Sequence, residues 1–340
     1  MDNINNASAG ANGWDGQICQ SIWYAFKYLK EMKLINVELH EDIELESENG
    51  VKLIQSKVSQ TPSQRKPSHN SHFIDGLNSL HNKNSDKYTE LIYSTNIYFP
   101  VNTMNLFLHN SSKGYSDLDE SIKTKIRTKT NLRDVNKLII RNIPFDGETE
   151  DEKAQEMINQ IRNILDEIRV PHSNGVAKEM MNEWHRKMFF LASQKGNKAG
   201  FPKSDFVWSI VSAVLRENLS FSDLEKLLDK LESQANEYDV LNTIQIDYDR
   251  IHDTILSDYK VIIEVITKYT EFIQDNPSLR GFERDAEFTK HYTKDFASKY
   301  LDDVIEEDFG EVTANIFVYK IIQKRHHLKR IKEVLNYDKV

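Results

Sequence analysis

Apolar positions recur once per helical turn from Gln17 to about Leu34. Ile18, Ile22, Ala25, Phe26 and Leu29 fall on one face, which predicts an amphipathic helix. The dozen residues at the start, rich in Asn, Ala, Ser and Gly, predict a loose segment. A short strand is expected around Val37–Leu39. From Asp42 to Lys57 the pattern changes to strict alternation on either side of Asn49-Gly50. That dipeptide between alternating runs predicts a β-hairpin with a type I′ turn. The turn sets a register: Glu48 opposite Val51, Glu46 opposite Leu53, Glu44 opposite Gln55 and Asp42 opposite Lys57. Side chains alternate across a strand, so Asp42, Glu44, Gln55 and Lys57 share one face.

Gln60–Asn70, rich in Ser, Pro, Gln and His, predicts a loop. A helix is expected at Phe73–Leu80, and strands at Glu90–Asn96 and Lys137–Ile143. Asp146-Gly147 then breaks the chain, and the domain boundary is placed there: residues 1–147 and 148–340. Beyond it the texture is nearly all helical. Met157, Ile158, Ile161, Ile164, Leu165 and Ile168 mark a helix ending before Pro171. Further helices are expected at Val176–Gln194, Lys203–Asn218, Ser222–Glu237, Ile251–Phe272, Phe282–Tyr300 and Val312–Leu335. Trp184, Trp208 and the Phe189-Phe190 pair are assigned to the core.

Composition narrows the class. Hydrophobic residues make up 39% and charged residues 29% of the 340, as in a soluble, folded chain long enough for two domains. The net charge of −9 argues against adhesion of the whole surface to nucleic acid, while leaving room for a local basic groove. With a single cysteine, Cys19, there is no disulfide framework and no Cys-based zinc site, and a reducing cytoplasm fits. No apolar run is long enough to span a bilayer, and no signal peptide is expected. No Walker-type loop is present either, so any ATPase activity would come from a partner.

The hairpin face carries the candidate chemistry. Phosphodiester cleavage is served by a divalent cation that polarises a phosphoryl oxygen and makes hydroxide near neutral pH. Mg²⁺ or Mn²⁺ takes oxygen ligands and keeps several waters. Asp42 would be the principal ligand, Glu44 a second, and Gln55 a carbonyl donor. Lys57 would orient water and offset transition-state charge. A solvated polar hairpin with cross-strand ion pairs would carry the same residues, and the pattern alone leaves both readings open.

The order helix, Asp-bearing hairpin, Gln55-Ser56-Lys57, helix, strand resembles the PD-(D/E)xK nuclease superfamily. The resemblance covers roughly residues 10–145. It implies a restriction-endonuclease-like α/β domain whose metal ligands lie on an antiparallel strand pair beside helices. Asp42 matches the family aspartate. Gln55-Ser56-Lys57 matches the (D/E)xK tripeptide, with glutamine in place of the usual acid. Gly13-Trp14-Asp15-Gly16-Gln17 is similar to the Gly-aromatic-x-Tyr-Gln opening of effector nucleases in bacterial antiphage systems, including the CD-NTase-associated type. Ser94-Thr95-Asn96 also resembles that subgroup. There Gln17 is implied to lie near the metal, and Gly16 stands where an aromatic is common.

The helical half resembles, in texture only, the C-terminal domains of Lamassu-type effectors; a helical ligand-sensing domain is the competing reading, since the CD-NTase-associated relatives carry a cyclic-nucleotide sensor in that position. Together the two resemblances imply a cytoplasmic, Mg²⁺- or Mn²⁺-dependent endonuclease acting on double-stranded DNA. An all-α regulatory domain, an SMC-like ABC ATPase and a third small subunit would restrain it, and activation would involve homo-oligomerisation. No membrane is involved. Gln55 keeps a second class open, a nuclease-fold scaffold or DNA-binding subunit with weak or lost catalysis. An RNA substrate stays open too, since the metal acts on a phosphate common to both nucleic acids.

Two basic runs are candidates for nucleic acid. Lys123, Lys125, Arg127 and Lys129 occupy every second position, and their alternation with Thr and Ile predicts an extended segment lined with charge. Arg65-Lys66 lies just past the candidate catalytic strand. The run from Lys324 to Arg330 needs no function, since cations favour a helix C-terminus.

Overall fold

A computed structural model describes residues 4–37, 42–83, 86–98, 100, 111–146, 149–170, 172, 174–194, 199–216, 221–230, 259–300 and 307–337. At residues 4–12, 42, 82–83, 174, 216, 221–225, 259–260 and 307–312 it describes the backbone alone. The chain divides into two units, Met1–Glu167 with His172–Phe206, and Ile168–Pro171 with Val207–Val340. The first is built on a mixed α/β sheet; the second is helical among its described residues.

The first unit runs α1 (Ile4–Lys27), β1 (Met32–Val37), β2 (Asp42–Ser47), β3 (Gly50–Lys57), α2 (Pro67–Lys83), β4 (Tyr88–Thr95), β5 (Ser112–Gly114), α3 (Glu120–Lys129), β6 (Leu138–Asn142), α4 (Glu150–Ile168), α5 (Asn174–Ala192) and β7 (Ala199–Pro202). The sheet order is β5-β6-β4-β3-β2-β1-β7. β7, β1, β2 and β3 pair antiparallel; β3, β4 and β6 pair parallel; β5 closes antiparallel on β6.

β3 is the pivot between the two pairing modes. Lys52, Leu53, Ile54 and Gln55 are all buried, as expected for a central strand covered on both faces. Leu53 packs with Phe73, Leu77 and Leu80, which recur at helical spacing on α2. On the other face Ser56 donates a hydrogen bond to the Gln20 side-chain oxygen of α1, 2.9 Å away. The buried Lys52 is paired with Glu90, 2.6 Å away.

The hairpin forms, but in a different register. Ser47 pairs with Gly50, Glu46 with Val51, Glu44 with Leu53 and Asp42 with Gln55. The turn is therefore Glu48-Asn49, not Asn49-Gly50. Gly50 alone takes a positive φ, +119°, while neither turn residue does. The Ser47 hydroxyl accepts from the Asn49 N–H at 3.3 Å and donates to the Gly50 carbonyl at 2.9 Å. Local hydroxyl bonds of this kind compete with the Asn-Gly preference. The slip is by two residues, so the faces are unchanged; a slip by one would have exchanged them.

Other expectations shift as well. α1 begins at Ile4, within the segment expected to be loose, and ends at Lys27; β1 starts at Met32. α2 begins at Pro67, inside the expected loop, because proline suits the first helical position. The basic run Lys123–Lys129 is helical: Ile122 and Ile126, one turn apart, are both buried and hold α3 against the sheet. Phe189 and Phe190 are 40% and 65% exposed, so that pair is not core. Trp184 is buried and stacks on Phe206 at 3.8 Å. β7 joins the edge beside β1, which carries the sheet unit to Phe206, past the break at Asp146-Gly147.

α6 (Lys203–Arg216) begins in the first unit and ends in the second. The second unit continues with α7 (Phe221–Lys230), α8 (Tyr259–Asp275), α9 (Gly281–Tyr300) and α10 (Glu307–Val334). α8, α9 and α10 pack on one another around Tyr269, Phe288, Phe296 and Phe317. No helix among the described residues is long and apolar enough to cross a membrane.

Candidate functional site

A cavity of about 270 Å³ opens at the carboxyl end of β3. Ser56, Lys57 and Val58 form its floor, Gly13, Trp14 and Gln17 of α1 one wall, and His72 and Asp75 of α2 the other. The carboxyl edge of parallel strands is where open α/β sheets place ligands.

Two close approaches shape it. A Cβ at Gly16 would lie 2.6 Å from Val58, so α1 can reach the end of β3 only with glycine there. This explains why an aromatic is absent at position 16. A Cβ at Gly76 would lie 2.5 Å from the Tyr93 ring and 3.6 Å from the Gln55 side chain. Glycine inside a helix costs stability, and here it lets α2 press onto the sheet and carry Asp75 to the cavity.

Of the expected site residues, the structure brings Lys57 and Gln17 to this cavity. Gln55 sits two residues back on the same strand, almost fully buried beneath Gly76. The backbone of Asp42 pairs with Gln55 rather than Lys57; its side chain lies outside the described residues. Glu44 is elsewhere: its carboxylate accepts from Lys87 at 3.0 Å and from the Tyr88 hydroxyl. Burial, with that bond to Glu44, raises the Tyr88 pKa.

Arg65 is exposed and Lys66 half-buried in the turn leading into α2. Lys123, Lys125, Arg127 and Lys129 point around α3 rather than along one line, since alternate residues on a helix lie about 200° apart. Lys123 pairs with Glu120 at 3.0 Å, and Arg127 lies over the Tyr115 ring.

Asp75 and His72 escaped the sequence reading. The signal was Gly76 in mid-helix, which marks a close approach and so a side chain delivered beside it. Among the described residues no side-chain hydrogen bond or ion pair engages Lys57 or Asp75. The surroundings are firmly fixed. Asn96, fully buried, donates to the Ser59 and Phe145 carbonyls and accepts from the Ser59 N–H, each at 2.8 Å. His69 lies 3.0 Å from the Ser59 hydroxyl. Its pKa is lowered by burial first, then by the charges of His72 and Lys66.

No family model and no curated protein matches the chain. Among solved structures, a Moraxella osloensis Cap4 SAVED/CARF-domain containing receptor is 14% identical, with a TM-score of 0.37 over 61% of this chain and 48% of that one. An Acinetobacter baumannii Cap4 SAVED/CARF-domain containing receptor, with the cyclic trinucleotide 2'3'3'-cAAA, is 12% identical, with a TM-score of 0.40 over 60% and 45%. The chain thus spans about half the length of these structures or less. A likeness at that level leaves the function to the site itself.

Proposed function

We propose that the chain is a metal-dependent endonuclease hydrolysing double-stranded DNA, the effector of a bacterial antiphage defence system. The observation that carries this reading is the convergence of Lys57, Gln17 and Asp75, from three separate elements, on one cavity. The antiparallel β2–β3 pair beside α1 and α2 supports it, since a restriction-like fold carries its ligands on such a pair. The donors at the cavity fit a hard cation, a carboxylate at Asp75 and an amide oxygen at Gln17, and Gln55 would add a further amide oxygen only by reaching out from its buried place on β3. Asp42, whose backbone pairs with Gln55, is kept as a further ligand on the strength of the sequence motif. When bound, Mg²⁺ or Mn²⁺ would polarise the scissile phosphate and make hydroxide available near neutral pH.

The chain's own residues do the rest. Lys57 donates from Nζ to a non-bridging phosphate oxygen and offsets the charge that develops there. Gln17 orients the attacking water through its side-chain amide. Arg65 and Lys66, ahead of α2, hold the flanking backbone phosphates. The helical unit, with an SMC-like ABC ATPase and a third small subunit, restrains the site until activation by homo-oligomerisation.

The test is plasmid cleavage with Mg²⁺ or Mn²⁺, comparing wild type with Lys57→Ala, alone and with the products of neighbouring genes. Cleavage lost in Lys57→Ala is the expected result. Cleavage that survives the substitution removes this cavity as the active site. A second reading, a scaffold with lost catalysis, is favoured by the capture of Glu44 by Lys87 and Tyr88. Divalent-ion affinity separates the two, because Asp42→Ala lowers it in an enzyme and leaves a scaffold unchanged.

A further inference from the structure

A second constellation lies away from β3, where α1 packs on α5. Asp15 and Cys19 are one helical turn apart and so share a face of α1. His185 of α5 faces them. The carboxylate oxygen of Asp15, the sulfur of Cys19 and a ring nitrogen of His185 all lie within 4.8 Å of one another. His185 Nε2 and Asp15 Oδ1 are 2.5 Å apart. Cys19 is 3% exposed, while the Asp15 and His185 side chains are 36% and 28% exposed. One side of the group is therefore closed and the other reaches solvent. Phe189, one turn beyond His185, stacks on its ring at 6.1 Å and lies tilted against Trp14 at 4.2 Å.

We infer that Asp15, Cys19 and His185 form a zinc site that ties α1 to α5. The donor types decide the metal. Thiolate and imidazole suit a borderline-soft cation, whereas Mg²⁺ requires oxygen. Zinc takes ligands from this set at about 2.0–2.3 Å, which puts ligand atoms about 3.2–3.8 Å apart. The Asp15–His185 hydrogen bond would open by about 1 Å, and separations of up to 4.8 Å would close by a similar amount. Binding expels the Cys19 thiol proton, and water from the exposed side completes the tetrahedron. The single cysteine had argued against a Cys-based site; a mixed site needs just one. An Asp–His hydrogen bond alone would join the helices without a thiol in the same small sphere. The clamp would hold the helix that carries Trp14 and Gln17 to the cavity wall, and it stands independently of the nuclease reading.

The experiment uses the full chain, stripped with chelator and titrated with Co²⁺ and then Zn²⁺. The expected result is a thiolate-to-cobalt charge-transfer band saturating at about one equivalent, and a zinc-dependent rise in Tm. Cys19→Ser should abolish the band. His185→Ala should weaken binding by at least tenfold, since even outer-shell losses cost about 10–100-fold. Asp15→Asn keeps the side-chain shape while removing the charge, and serves if Cys19→Ser does not fold. A wild-type protein that takes up cobalt with no thiolate band, or retains no zinc, overturns the proposal. So does zinc affinity unchanged in Cys19→Ser or Asp15→Asn.

Discussion

The two units differ in where their polar side chains find partners. In the helical unit polar groups close on one another. Asp285, 5% exposed, accepts from the Tyr269 hydroxyl and, at 3.0 Å, from the Gln323 amide; Arg284 Nε donates to the same hydroxyl at 3.0 Å. Glu264 is likewise gripped by Lys299, Tyr300 and Tyr292. The sheet unit also pairs its buried groups, as in Lys52–Glu90, but the half-buried Lys57 and the exposed Asp75 at the cavity have no such side-chain partners among the described residues. Closed networks spend their hydrogen-bonding capacity on rigidity. An open one keeps that capacity for something that arrives from outside. The same residue types therefore carry stability in one unit and candidate chemistry in the other.

Substitutions can break this contrast. Lys57→Ala and Asp75→Asn should each lower cleavage by about 100-fold or more while leaving Tm nearly unchanged. A large fall in Tm instead would make them structural. Asp285→Ala should do the reverse, costing about 2–4 kcal/mol because it strands the Tyr269 hydroxyl and the Gln323 amide. Chemical denaturation measures this, and a cost under about 0.5 kcal/mol would remove the network from the account.

Gly76→Val tests the link between packing and site. Overpacking against Tyr93 should cost about 1–3 kcal/mol and also displace Asp75. Loss of stability with full cleavage would separate the two roles. The smallest effect is one of pH. Hydrogen bonds from Lys299 first, then Tyr300, lower the Glu264 pKa from its usual 4.5, while burial opposes them. The carboxylate's contribution is present above that pH and lost as pH falls through the lowered value. Since the pair is partly solvated it should amount to less than about 1 kcal/mol. Glu264→Gln should flatten the melting profile below pH 4.5, and a profile identical to wild type would refute the assignment.

Much of the fold was legible in the chain, for reasons that can be named. The hairpin faces followed from alternation, and alternation survives a two-residue slip. The register did not, because Ser47 offered the turn its own hydrogen bonds. The α2 stripe Phe73, Leu77, Leu80 announced a helix, yet Asp75 lay off that stripe, and its importance depends on how closely Gly76 lets the helix approach. The basic run on α3 misled because alternation of Lys with Thr resembles a strand, while Ile122 and Ile126 carry the helical period. Cys19 and His185 are far apart in sequence, and no spacing rule joins them.

The place of β7 has a consequence for how the protein is made. β1 leaves the ribosome long before the strand that covers its outer edge. Until Ala199–Pro202 arrives, a row of unpaired backbone donors and acceptors is open to any neighbouring chain. A fragment cut at residue 147 would keep that edge bare permanently and should aggregate. One extended through Phe206 carries its own cover, and is the shortest piece in which the cavity can be studied alone.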